Sequence, residues 1–200
     1  MTEQDIIALQ KKVMQEQFSS IHSIVTYVAG KRYHFVEHEI SLADILIHLP
    51  REFVDLPPII AKQKYPSENR PKIIKTSLDI SVNFAFNSLP QEIQVDDLIV
   101  FRDSSLDALK KLYPHNTYLE RGLDYYGPTK SKLFSWYEYC GPTLDADSYT
   151  FSAFMRENRR LLFYLFNCPM GVYESWRPVV FETILSIRDK PIDWKGESES

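Results

Sequence analysis

Glycine is scarce in this chain, with six in 200 residues, about half the ~7% usual in soluble domains. Few places therefore exist where bare backbone can wrap a phosphate. The glycines stand chiefly at breaks between apolar segments, at positions 30, 122, 127, 141 and 171, with the sixth near the C-terminal end at 196. Cysteine is nearly absent: Cys140 and Cys168 form no C-x-x-C pair, which removes the usual cysteine zinc modules and thiol-redox motifs. Two free thiols in a reducing compartment are the expectation, with a Cys140–Cys168 bridge the other possibility. No apolar run approaches the ~18–20 residues of a membrane helix; the longest is Leu161–Phe166. Met1–Asp5 is acidic and has neither the basic nor the apolar region of a signal peptide. An excess of basic charge is missing too. The formal net charge is −4, with 13 acids and 10 bases in residues 1–100 and 14 and 13 in residues 101–200. Neither half offers a basic face to nucleic acid or an anionic membrane. Together these absences predict a cytoplasmic protein with no nucleic-acid partner, no membrane insertion and no cofactor.

Aromatic residues are what the chain has in quantity: 12 Phe, 12 Tyr and 3 Trp, 14% of the total. That weight implies a heavy core or an adhesive surface. The length suits one domain, able to bury roughly 70% of its unfolded surface without disulfide or metal.

Residues 3–18 read as a helix, with Ile6, Leu9, Val13 and Met14 on one stripe and Thr2 as cap. Residues 31–40 and 45–49 read as a strand pair ending at Pro50, and 51–71, with four prolines, as a long loop holding one short helix. Residues 73–87 alternate Leu78, Ile80, Val82, Phe84 and Phe86 with polar or small residues, the pattern of one half-buried strand. A helix follows over Val95–Tyr113, its acids in the first turn and lysines in the last. Three or four strands come next, over Thr117–Tyr126, Lys132–Cys140, Tyr149–Arg156 and Leu161–Phe166. Ser175 caps a final helix through Ile187, with Pro178 in its first turn. The expected organisation is an N-terminal helix or arm over 1–30, one domain over 31–189 and a disordered tail over 190–200. Strands 132–140 and 161–166 are apolar on both faces, so both faces need cover. The fold class predicted is α+β: a three-layer α/β/α sandwich around a central, mainly antiparallel sheet.

The strand ending Ile47-His48-Leu49-Pro50, the helix before the meander and the closing helix through Glu174-Ser175-Trp176-Arg177-Pro178 resemble the PsbP-like superfamily. That superfamily also includes the Ran-binding nuclear import factor and bacterial chaperones of secreted effectors. The resemblance runs from Ile45 to Ile187 and rests on element order and apolar positions. It implies the same sandwich and a binding or adaptor role, and it carries over no functional residue. The N-terminal helix and the proline-rich loop depart from the superfamily pattern.

The sharpest chemical string is His34-Phe-Val-Glu37-His38, an H-x-x-E-H match to inverted zinc proteases. On a helix, His34 and His38 share a face and Glu37 is placed as a base. On a strand the two histidines stand about 13 Å apart and cannot share an ion. The third ligand would come from elsewhere, such as Glu92, Asp96 or Asp97. Gly122 and Gly127 have P-loop spacing, but Pro128 replaces the lysine. Arg156, Arg159 and Arg160 surround a tight turn, either a solvated hairpin tip or a grip for a phosphate or acidic partner. The aromatic block from Tyr113 to Tyr139 carries the main functional expectation. Trp136, Tyr137, Tyr139, Tyr125 and Tyr126 are the candidate binding residues of a concave sheet face for another protein or peptide. The function expected is a non-enzymatic protein-binding module, adaptor or chaperone-like. The alternatives are a zinc hydrolase using His34, Glu37 and His38, or a binder of a small apolar ligand.

Overall fold

The computed structural model describes residues 20–142 and 146–191. The helix expected over 3–18 lies outside the described residues, as does the expected tail beyond Pro191. The expected tail's first residue, Lys190, is held: its Nζ lies 2.7 Å from Glu39 Oε1 and its backbone N–H donates to the Asp44 carbonyl.

Strands β1 (Thr26–Val28) and β2 (Lys31–Tyr33) form a hairpin around Ala29 and Gly30. Both turn residues have positive φ, 51° and 75°, as a two-residue type I′ turn requires. The boundary expected at Gly30 thus falls inside a hairpin whose Val28 and Tyr33 are buried in the main core.

The strand expected over 31–40 divides at His34: residues 31–33 belong to the β1–β2 hairpin, and only β3 (Phe35–Ile40) pairs with β4 (Ile45–Pro50), joined by β12 (Arg188–Asp189) in a sheet ordered β12-β4-β3. It is a separate small sheet, packed on the large one through Ile40, Ile45, Ile47 and Leu49 in the main core. The proline-rich segment holds β5 (Val54–Asp55) and α1 (Pro58–Lys64).

Residues 73–87 are not one strand. They split into β6 (Ile73–Thr76) and β7 (Asn83–Glu92), paired antiparallel. Asp79 Oδ1 accepts from the Ser77 and Ser81 hydroxyls and from the Ser81 N–H, a local turn chemistry that competes with a ladder. Leu78 and Ile80, read as inward strand residues, are exposed turn residues, with Ile80 at φ 54°.

Helix α2 (Asp97–Leu112) leads into the meander β8 (Thr117–Tyr126), β9 (Lys132–Pro142), β10 (Asp147–Glu157) and β11 (Arg160–Pro169). A 3₁₀ turn, Met170–Val172, runs directly into α3 (Tyr173–Leu185). Val172 therefore occupies the N-cap position in place of Ser175, no side chain caps the helix, and Pro178 falls inside it.

Seven strands form one antiparallel sheet ordered β5-β6-β7-β11-β10-β9-β8. The register sets Phe84 beside Phe166, Phe86 beside Tyr164 and Ala153 beside Trp136, so large side chains share one face. The small sheet and α3 cover that face, with Trp176 against Tyr33, Phe53, Phe84 and Phe166 at centroid distances of 5.3–6.0 Å. The opposite face carries two smaller clusters. Helix α1 covers Ile74 and Ala85, and α2 covers Tyr137, Phe154 and Leu161. The architecture is the expected α+β sandwich, with an extra small sheet in one outer layer.

Candidate functional site

The five predicted binding aromatics do not share a surface. Trp136 is buried on the α3 face, stacked on Phe151 at 5.5 Å, and its indole N–H donates to Asp124 Oδ2 at 2.7 Å. Gly122 is what admits the indole, since a Cβ there would meet Trp136 at 2.7 Å. The glycine that suggested a phosphate loop thus serves a tryptophan. Tyr126 is fully buried beneath the same layer, and its hydroxyl donates to Glu157 Oε1 at 2.5 Å. Tyr137 is buried under α2, with its hydroxyl 3.0 Å from Ser105 Oγ. Tyr139 is half-buried, its phenol pushed up to about 12 by burial. Tyr125 is exposed, at 57%. Trp136, Tyr137 and Tyr126 of the expected concave patch are therefore interior packing, with both faces of β9 covered.

The H-x-x-E-H string lies on and just before a strand, and its three side chains have separate surroundings. His34 Nδ1 is 2.8 Å from Glu52. Glu37 takes a two-pronged grip from Arg188, at 2.6 and 2.7 Å. Its carboxyl is held below the ordinary range chiefly by that hydrogen bond. His38 is lowered to about 4, first by burial and then by Lys75, and its Nε2 has no hydrogen-bond partner among the described residues. Asp96 and Asp97, offered as a third ligand, stand at the N-cap and first positions of α2 on the far face of the large sheet, and Glu92 ends β7 opposite Arg160. Among the described residues no three His, Cys, Asp or Glu converge as an ion site.

Cys140 and Cys168 are free and buried. Both pair with Tyr149 in register, which sets them two strands apart, about 9.6 Å. Burial pushes the Cys168 thiol up to about 12 and raises Cys140 as well, so neither is an activated nucleophile. The arginine turn serves structure: Arg156 Nε donates to the Ile93 carbonyl at 2.8 Å, and Asn158 and Arg159 form a positive-φ turn.

Two buried carboxylates lie on the α3 face. Glu138 accepts from the Tyr149 hydroxyl and from Arg177 Nε and Nη2, while Arg177 also reaches Glu120 at 2.7 Å. Glu157 accepts from Tyr126 and from Lys132, which is also 2.7 Å from Asp189. Each carboxylate is saturated by a phenol and a cation, which is how buried charge is made tolerable.

What remains open is the β8 edge. Strand β8 ends the seven-strand order, so no strand lies on its outer side among the described residues. Helix α2 runs alongside it in the opposite direction. Arg102 Nη1 donates to the Gly122 carbonyl at 3.0 Å, Arg121 Nη1 to Asp103 at 3.1 Å, and Lys110 Nζ stands 5.4 Å over the Tyr118 ring. Leu119, Leu123 and Tyr125 of β8 are exposed, as are Val95 beside α2 and Ile99 and Val100 on it. Eight of the sixteen exposed large apolar side chains among the described residues fall between Val95 and Tyr125. Of the predicted aromatics, Tyr125 alone belongs to this strip. Sequence reasoning passed over Leu119 and Leu123, although the charges interleaved along β8, Glu120, Arg121 and Asp124, are the mark of an edge strand.

Comparison with solved structures finds similarity at low sequence identity. The solution structure of cyanobacterial PsbP from Synechocystis sp. PCC 6803 aligns with a TM-score of 0.55 at 7% identity, covering 78% of this chain and 92% of that one. A protein of unknown function from Pseudomonas aeruginosa, described as a putative regulator, covers 78% of this chain and 98% of its own at 10% identity and TM-score 0.44. A protein from Bacteroides thetaiotaomicron VPI-5482 covers 80% of this chain and 50% of its own at 9% identity and TM-score 0.45. No protein-family profile matches the chain, and no curated protein does. The first likeness shows a PsbP-like fold, and at this identity it shows the fold alone.

Proposed function

We propose that the chain is a non-enzymatic protein-binding module, adaptor or chaperone-like, that takes an apolar segment of another protein along β8 and α2. The carrying observation is the concentration of exposed apolar side chains on and beside a terminal strand. An edge strand offers unpaired N–H and C=O groups to an incoming strand, and flanking side chains supply selectivity. The irregularity between Tyr118 and Arg121 interrupts the β8–β9 ladder and leaves Arg121–Tyr126 as its longer regular stretch. Leu123 and Tyr125 lie in that segment, and Leu123 pairs with Ser135, whose hydroxyl donates to the Leu98 carbonyl. The strand's side chains therefore adjoin the first turns of α2. Burial of such a strip stabilises a complex by about 25 cal/mol per Å² before association costs. Two free buried thiols suit a reducing compartment such as the cytoplasm.

The test is capture from the native host by the tagged protein and by its Leu123→Ser/Tyr125→Ser variant. Loss of the same partner in the variant, with an unchanged melting temperature, supports the reading. A partner retained equally by both sinks it.

A further inference from the structure

We propose that the groove between α1 and the β6–β7 hairpin binds a small amphiphilic anion, an apolar body ending in a carboxylate or comparable head group. This site is independent of the β8 strip. The strand order places β6 five steps from β8, about 24 Å across the sheet.

The groove has a volume of about 490 Å³, inside the ~300–1,000 Å³ range of small-molecule sites. Buried Leu56, Ala61 and Ile74 form its apolar floor. They belong to the smallest of the three core clusters. Lys62 of α1 and Arg70 and Lys72 of the following segment line the same groove. Lys62 and Lys72 are exposed and make no ion pair among the described residues. Arg70 is fixed by donation from Nε to the Tyr65 carbonyl at 3.1 Å, which orients the guanidinium and leaves its outer nitrogens. The one acidic residue lining the groove is Glu68, 97% exposed and 3.8 Å from Arg70 Nη2, a contact worth little in solvent. Three cations against one acid stand at this groove in a chain of net charge −4. A guanidinium held by one edge presents the other for two-point recognition of a carboxylate, while the floor takes the apolar body. The local charge and the apolar floor therefore select for an anion with a hydrophobic tail, over a simple anion or a cationic amphiphile.

The probe is decanoate below its micelle concentration, titrated calorimetrically into the full chain, with decyltrimethylammonium and acetate as comparators. The expected result is one decanoate site, at least about tenfold weaker binding of the cationic amphiphile, and no measurable heat from acetate. The Lys62→Glu/Lys72→Glu variant should bind decanoate about tenfold more weakly or worse. Both side chains are exposed and unpaired, so its thermal melt should match the wild type. Absence of decanoate binding overturns the proposal, as does equal binding of decyltrimethylammonium or undiminished binding by the variant.

Discussion

On one face of the seven-stranded sheet, Phe84, Phe86, Phe151, Tyr164 and Phe166 lie fully buried beneath Trp176, Val179, Val180 and Ile184 of α3. On the other face, α2 is the longer helix yet buries only Leu98 and Leu106, while Ile99 and Val100 stay in solvent. The difference is one of completeness of cover. The α3 face is closed by a helix, a hairpin and a second sheet, and even its carboxylates are matched. The α2 face is closed by two helices set over separate clusters, and its margins stay open at the α1 groove and at β8. Stability resides mainly in the first face and the proposed binding in the margins of the second.

Trp176→Ala gives the largest expected effect, a loss of about 3–5 kcal/mol in chemical denaturation. Leu106→Ala on the other face should cost about 2 kcal/mol, the low end for such a truncation. Equal losses would break the comparison. Arg177→Met removes the guanidinium from buried Glu138 and should cost about 3 kcal/mol, most of it restored in Glu138→Met/Arg177→Met. A double variant no better than the single would show that the pair adds net stability.

His38 sharpens the comparison through pH. Its folded pKa lies near 4, with Lys75, Asp55 and His48 as its charged or titratable neighbours, against about 6.5 unfolded. Between those values the unfolded state takes a proton that the folded state refuses. Stability from neutral His38 is thus complete above about pH 6.5 and declines as pH falls toward 4, with a slope approaching 1.4 kcal/mol per unit at most. His38→Leu should flatten that part of the stability–pH curve, and an unchanged curve would contradict the buried neutral imidazole.

Arg159 sits at φ 65° in a turn that joins the two sides. The Arg159 carbonyl accepts from Ile93, in the α2 cluster, and Asn158 donates to the Ala43 carbonyl, in the α3 layer. Arg159→Gly should stabilise by about 1 kcal/mol by relieving the left-handed conformation, read as a rise in melting temperature. The smallest effect is expected at the open margin. Leu123→Ser/Tyr125→Ser should change stability by no more than about 0.5 kcal/mol while removing partner capture.

Much of the fold was legible in the residues. The bounds of β8 match the sequence reading at both ends, because proline and glycine punctuate the meander and two-sided apolar strands demanded two layers. The single strand read over 73–87 failed because Ser77, Asp79 and Ser81 bond to one another and to backbone, an interaction that hydrophobic alternation does not encode. The binding site was less legible. Trp136 and Tyr137 sit next to each other on one strand, yet they enter different cores. Exposure depends on strand order, and an adjacent pair of aromatics carries no record of which strand ends the sheet. Only the charges along β8 recorded it.

The most direct test of the β8 surface places a photo-crosslinking amino acid at position 123 in the native host and compares it with the same group at Ile59, an exposed position on α1. A binding surface along β8 and α2 should give a discrete adduct with one protein from position 123 that does not form from position 59. Identical adducts from both positions, or none from 123, would contradict a binding surface along β8 and α2.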